Sequence, residues 1–476
     1  MSLKTAAISG IKWSSFSFAI RRVLAFLTSI VLARLLSPGD FGLVAMASLS
    51  LGFIDLFRDL GTGSAVIQRK EISEALLSSI FWINAGFGLV VSAGLYWLSP
   101  VIGEFYREPA VAPLMRVLSL SFFVSALGIV QSSLLSRAMA FERTAKIELI
   151  TAIFSSSAAI GAAWAGFGVM SLVYQPLLNS ILLLALLWNA SAWRPKWVFH
   201  WGEVREITGY SLNLTCYNVI SYFARNADNL LIGRYLGAQD LGYYDLAYRL
   251  MLYPLQGISA VVGKVMFPLY SQMQDDHAQF RSAYLTTVGS IALFAFPLML
   301  GLLAIREPFV LSLFGAQWQA VVPLLMIFAP LGALQSITTT VGSIYQAKGR
   351  TGWLLGWGVG SSVFYMFSFV IGLPWGIVGV AGTYACACLI LFIPMFAVPF
   401  RLIHLPLRDL AKVLWRPLLC AMLMCALVMA TVELIPIAWP KAATLSFLVA
   451  LGGVSYIALT WLFNRKHFLS VAAILR

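Results

Sequence analysis

Runs of about twenty largely apolar residues follow one another along almost the whole chain, and no junction between them exceeds about fifteen residues. A helix crossing about 30 Å of hydrocarbon needs roughly that length. With 60% hydrophobic and only 11% charged residues, the chain has too little polar surface for water and uses lipid as its solvent. Windows of membrane length give about fourteen segments, near 11–34, 41–63, 75–102, 111–136, 145–166, 168–191, 206–233, 241–266, 282–304, 319–346, 352–373, 375–400, 410–434 and 442–464. The fold class is therefore an all-α membrane protein of about 14 transmembrane helices. No junction is large enough for a catalytic domain, so no enzyme is expected.

Loop charge tests that count, because a missed segment would scramble the alternation of sides. With a cytoplasmic amino terminus, the inner junctions and both termini carry twenty of the 32 basic residues, among them Arg69, Lys70, Arg194, Lys196, Lys348, Arg350, Arg465 and Lys466. The opposite side has five, namely Arg34, Arg107, Arg234, Arg306 and Lys441. This bias places both termini in the cytoplasm. The formal charge of +13 thus orients helices, and no nucleic-acid partner is implied. The start, Met1 to Lys12, is short and weakly basic and meets Arg21 and Arg22 before any small-residue cleavage site, so a cleavable signal peptide is not expected.

The chain reads as a duplication. Ala33-Arg34-Leu35-Leu36-Ser37-Pro38-Gly39-Asp40-Phe41-Gly42 stands 200 positions before Gly233-Arg234-Tyr235-Leu236-Gly237-Ala238-Gln239-Asp240-Leu241-Gly242. Ala110-Val111-Ala112-Pro113-Leu114 matches Ala320-Val321-Val322-Pro323-Leu324 at an offset of 210. Copies six helices apart enter the membrane in the same direction, which makes two parallel-repeat six-helix lobes with a substrate path between them. The expected organisation is an amino-terminal lobe over 1–192, a cytoplasmic linker over 193–205, a carboxy-terminal lobe over 206–400 and two appended helices over 401–476.

Charge occurs inside the apolar segments. Arg21, Arg22, Arg58, Arg225 and Arg249 each sit in a membrane-length run, and an arginine near the centre of a membrane helix costs roughly 2.5 to 3.5 kcal/mol. They are expected to face a shared interior, where five arginines against the four aspartates Asp55, Asp59, Asp228 and Asp245 leave a positive excess suited to an anionic cargo. In the second half Arg225 can meet Asp245, or Asp228 can meet Arg249, across a hairpin turning near Gly237; within one helix, Arg225 and Asp228, and Asp245 and Arg249, are also neighbours. The arginines are thus candidate diphosphate ligands and the aspartates candidate ion-pair or coupling residues; structural pairing is the plainer alternative. Thr338-Thr339-Thr340 and Ser361-Ser362 read as packing residues. The tyrosines of the second-half hairpin, including Tyr243, Tyr244 and Tyr248, read as an interfacial belt with sugar stacking as the alternative.

Cys216, Cys386, Cys388, Cys420 and Cys425 all lie in apolar segments without zinc or disulfide spacing, and the four histidines stand near segment ends. No metal and no cofactor is expected.

Leu32 to Gly42, then Asp59-Leu60-Gly61 and Ile67-Gln68-Arg69-Lys70, with Phe267-Pro268 and Leu313-Phe314-Gly315, resemble the signature of Wzx-type polysaccharide flippases, nearest the branch handling colanic-acid-like units. The resemblance implies the multidrug/oligosaccharidyl-lipid/polysaccharide exporter superfamily, which also holds the MATE and MurJ transporters. It implies alternating access, undecaprenyl-diphosphate-linked oligosaccharide as substrate in exopolysaccharide or O-antigen biosynthesis, and the bacterial inner membrane as the location. Polysaccharide polymerase and chain-length machinery are its implied partners. The signature carries over no binding residue. The competing reading is a MATE-like cation-coupled antiporter using Asp55, Asp59 or Asp228.

Overall fold

The computed structural model describes residues 3–58, 63, 66, 67, 69, 72–200, 222, 225–435 and 439–464. Among these residues every regular element is helical. The chain packs as two compact units, Met1–Gly242 and Tyr243–Arg476. Unit 1 holds α1 (Leu3–Leu35), α2 (Pro38–Arg58), α3 (Glu74–Tyr106), α4 (Val111–Ala126), α5 (Ile129–Arg137), α6 (Phe141–Trp164) and α7 (Met170–Ala190), and α8 (Ala238–Gln272) begins in it. Unit 2 adds α9 (His277–Ala304), α10 (Arg306–Leu313), α11 (Val321–Thr338), α12 (Val341–Ala347), α13 (Thr351–Gly372), α14 (Gly376–Ile403), α15 (Leu407–Leu434) and α16 (Lys441–Phe463).

Local chemistry sets the helix ends. At the start of α2 the Ser37 N–H and hydroxyl donate to Asp40 Oδ2 at 2.9 and 2.7 Å, and the Asp40 N–H donates to Ser37 Oγ at 3.2 Å. Pro38 follows at the first helical position, where a missing N–H costs nothing. Ser73 Oγ accepts from the Leu76 N–H, and Asp276 Oδ1 accepts from Ala278 and Gln279. Gly376, at φ +69°, opens α14 directly after the short turn that ends α13.

Among the described residues nine helices are long and apolar enough to cross a membrane, with α11 and α12 taken together and likewise α13 and α14, and ten if the bent pair α4 and α5 counts as one span. Their outer faces carry bare apolar side chains such as Val90, Trp97, Trp164, Phe367 and Ile393. Water would penalise each by roughly 25 cal/mol per Å2, whereas lipid does not.

Of the expected segments, 111–136 is bent into two helices, and 319–346, one membrane span, is interrupted by a two-residue turn. Residues 111–136 form α4 and α5, bent by 41°. At that bend the Leu127 carbonyl accepts from Trp188 Nε1 at 3.1 Å. Residues 319–346 form α11 and α12, and the threonines between them explain why: Thr338, Thr339 and Thr340 each turn their hydroxyl back onto the carbonyl three residues earlier, at 2.8 to 2.9 Å. Such bonds compete with the helix ladder. The short α10 has no counterpart among the expected segments.

In unit 1, α3 packs on α4, α1 on α6, and α7 on both α4 and α6. The first turn of α8 meets α2 at backbone contact. A Cβ on Gly42 would lie 1.7 Å from the Ala238 carbonyl oxygen, and one on Gly242 would lie 1.9 Å from that of Pro38. These are the residues the 200-position offset aligns, so the two copies of the motif touch reciprocally. The residues after α7 return to the start of α3, where Trp197 stacks on Trp82 at 4.2 Å and the Lys196 carbonyl accepts from Trp82 Nε1.

In unit 2, α9 packs against α11 and α15, α14 against α11 and α13, and α16 against α15. The core contains buried tyrosines, three of which have bonded hydroxyls, while the hydroxyl of the fully buried Tyr345 has no partner among the described residues. Tyr270 donates to Thr287 at 2.9 Å, Tyr284 shares a 2.9 Å bond with Thr340, and Tyr456 donates to the Leu293 carbonyl at 2.8 Å. An unmade bond at this depth would cost about 1 to 3 kcal/mol.

Candidate functional site

The embedded charges divide between the units. In unit 1, Arg21 Nη2 of α1 pairs with Glu148 Oε2 of α6 at 2.9 Å, with both side chains about a third exposed. Ser17 Oγ donates to the Ala145 carbonyl at 3.4 Å, one turn earlier on each helix. Reaching back from the residue after Ala145, the Lys146 ammonium sits 5.3 Å from the Trp13 ring centre. Contacts that climb both helices together mean that α1 and α6 run parallel. The Arg21 Nε is buried and has no hydrogen-bond partner. Arg22, the next residue, points away; it is exposed and stands over the Phe18 ring of its own helix at 5.1 Å.

Glu148 changes the charge balance read from the sequence. It lies within a segment already assigned to the membrane, yet the tally of embedded carboxylates holds only aspartates. With it the embedded carboxylates number five beside the five arginines, and since Arg116 and Lys264 stand nearer the ends of their segments, the positive excess narrows without vanishing. The available signal was a glutamate inside Ile147-Glu148-Leu149-Ile150.

In unit 2, Arg249 Nε pairs with Asp245 Oδ2 at 2.8 Å, four residues back on α8. Of the pairings left open by the sequence, the structure makes this one within a single helix. Asp245 is 7% exposed while half of the Arg249 side chain is accessible, so the carboxylate is the enclosed member of the pair. Tyr244 and Phe328 anchor the carboxylate's turn, with rings 5.2 Å apart edge to face, and Tyr248 adds a second edge to Phe328 at 5.7 Å. Counting twelve residues from Gly237 puts Arg249 roughly 18 Å along the helix, about half of a bilayer core.

The remaining candidates are placed less fully. Asp228 is buried at 2% exposure and its Oδ1 accepts from the Asn229 N–H at 2.8 Å, while Arg225 is exposed. Asp55 and Arg58 belong to α2, but their side chains lie outside the described residues, as does Asp59 altogether. The structure therefore brings together Arg21 with Glu148 and Arg249 with Asp245.

These arrangements suit anion recognition. A guanidinium carries five N–H donors, and Arg249 gives one nitrogen to Asp245, leaving its outer fork for phosphate-type oxygens. Among the described residues no group of three or more His, Cys, Asp or Glu side chains could hold a metal ion.

Known proteins agree with this architecture. A family model described as "Polysaccharide biosynthesis protein" matches residues 31–323. The lipopolysaccharide biosynthesis protein WzxC of Escherichia coli K12 is 30% identical over 374 residues, covering 78% of this chain and 76% of that protein. The succinoglycan biosynthesis transport protein ExoT of Rhizobium meliloti is 28% identical over 95% of this chain and 92% of its own length. Among solved structures, the lipid II flippase MurJ in an inward closed conformation superposes with a TM-score of 0.77 at 18% identity, covering 95% of this chain and 99% of that one. At that identity the likeness is one of fold.

Proposed function

The chain belongs to the family of polysaccharide biosynthesis proteins, and from that premise we propose that it flips undecaprenyl-diphosphate-linked oligosaccharide repeat units across the bacterial inner membrane for polysaccharide biosynthesis. In this reading it has fourteen transmembrane helices with both termini cytoplasmic. Lobes over 1–192 and 206–400 are joined by the linker 193–205 and followed by helices appended over 401–476. The lobes alternate access, and the polyprenyl tail stays in lipid. Polymerase and chain-length proteins take the delivered unit.

The observation that carries the proposal is Arg249, an arginine inside a membrane helix whose own buried aspartate holds it while half its side chain stays open. A purely structural pair has no reason to keep its cation accessible at that depth. A diphosphate carries charge-dense oxygens that a planar guanidinium fork matches in geometry, and arginine is more weakly hydrated than lysine, so its desolvation costs less. Pairing with Asp245 lowers the cost of keeping Arg249 charged between cargoes, and the same pairing weakens its hold enough for release. Arg225, exposed on the helical segment 225–235, is the second proposed ligand. Arg22 and Arg58 complete the set, while Arg21 supports it through Glu148.

The test is a complementation assay in a strain lacking the chain. Replacing Arg225 and Arg249 together by alanine is expected to stop polymer export and to accumulate lipid-linked repeat units inside, with the protein still inserted. Normal export by that double variant sinks the proposal. A cation-coupled antiporter predicts instead that Asp228→Asn abolishes drug resistance.

A further inference from the structure

Unit 2 contains a partly open cavity of about 460 Å3, lined by α8, α11, α13 and α14. That volume lies in the range of small-molecule sites, roughly 300 to 1,000 Å3. Its walls are apolar at both ends, Leu331 and Leu334 on one side and Phe392 and Met395 on the other, and none of its lining residues is charged. Between those ends runs a polar band made of Gln335 and Thr338 of α11 with Thr339 just after it, Tyr365 of α13, and Tyr384 and Cys388 of α14. Gln335 Nε2 donates to the Tyr384 hydroxyl at 2.9 Å, and the rings of Tyr365 and Tyr384 meet edge to face at 5.3 Å. Leu252, on the α8 wall, stands three positions from Arg249, one turn and about 4.5 Å along the axis.

A hydrocarbon chain gains nothing by entering such a space. Lipid tails are already as apolar as leucine, so moving a prenyl segment from bilayer to cavity has no hydrophobic driving force and would set it against an amide and several hydroxyls. The diphosphate is excluded for the opposite reason, because no cation lines the walls. An uncharged ring with apolar C–H faces and hydroxyl edges fits both surfaces: the faces against tyrosine rings and leucines, the hydroxyls against the amide and threonine oxygens.

We infer that this cavity is a glycan subsite, which receives an uncharged sugar ring of the repeat unit while the adjoining diphosphate lies on Arg249. Gln335 and Tyr384 read the sugar hydroxyls, and Tyr365 supplies a stacking face. The inference rests on the flippase reading. It also moves the sugar-contacting aromatic residues from the tyrosine-rich start of α8, where Tyr244 is fully buried against Phe328, to α13 and α14.

The experiment uses the full chain in nanodiscs and measures binding of two probes, undecaprenyl diphosphate and undecaprenyl diphosphate bearing a single hexose. The wild type is expected to bind the hexose-bearing carrier about tenfold more tightly, the worth of one or two well-made hydrogen bonds. Gln335→Met and, independently, Tyr384→Phe are expected to erase most of that difference while leaving the sugar-free carrier's affinity unchanged, which also shows each variant to be folded. Equal wild-type affinity for both carriers overturns the glycan subsite alone. Parallel loss for both carriers in both variants also overturns it, and marks the cavity as a tail site. Binding of neither carrier by the wild type overturns the flippase reading and the subsite with it.

Discussion

Arg21 and Arg249 are both arginines set in apolar helices, but Arg21 is bonded to a different helix and Arg249 to its own. The Arg21–Glu148 pair ties α1 to α6, so the charge contributes to how unit 1 is assembled. The Asp245–Arg249 pair closes within α8, between residues four apart on one helix. The first arginine is committed to architecture, and the second can exchange its partner without loosening a helix. Of the two, the second is built to meet a cargo.

That contrast can be broken by substitution. Arg249→Ala combined with Asp245→Asn, so that no carboxylate is left buried without its cation, is expected to produce the largest functional effect, a drop of at least about tenfold in polymer export, with the thermal midpoint shifting by no more than about 2 °C in a detergent melt. A melt that falls steeply would place Arg249 with the architectural charges instead. Arg21→Ala is expected to do the reverse. It should cost roughly 1 to 2 kcal/mol of stability, less than a fully buried pair because both side chains are a third exposed, and leave residual export in proportion to folded protein.

Exchanging the unit 1 charges sharpens the point. Arg21→Glu with Glu148→Arg should recover most of the stability lost by either single change, with a coupling of about 0.5 to 2 kcal/mol in a double-mutant cycle. No recovery would mean that Arg21 acts through something other than Glu148. The smallest effect is expected from Arg22→Ala, within about 0.5 kcal/mol in stability, since its described contact is a single ring on its own exposed face. Export measured in the same variant then reports directly on whether an exposed unit 1 arginine touches cargo.

Much of the helical layout was legible because a membrane helix is a matter of length and apolarity, both local properties. Bounds such as Met170–Ala190 and Lys441–Phe463 fall within a few residues of the apolar windows. The break at Thr338-Thr339-Thr340 was not legible, since hydroxyls that pack and hydroxyls that compete for carbonyls look alike in a string of letters. Eight-residue α10 is too short for any membrane-length window.

The site was legible only as a set of charges. Depth along α8 follows from counting, but whether Arg249 finds its partner on its own helix or across the turn depends on rotamers and neighbours such as Tyr244 and Phe328. Glu148 shows the other limit, because its meaning comes from α1, more than a hundred residues away in sequence. The cavity around Gln335 and Tyr384 gathers residues from four helices, and nothing in their spacing announces it.

The reciprocal seat of Gly42 and Gly242 bears on how this chain can change over time. After a duplication each copy is ordinarily at liberty to drift, the other standing as a spare. Here each glycine makes room for the partner copy's backbone, at Ala238 in one direction and at Pro38 in the other. A side chain acquired by either copy would evict the opposite strand of history along with its own. At this point the two halves have one future between them, and a mutation must be accepted by both or by neither.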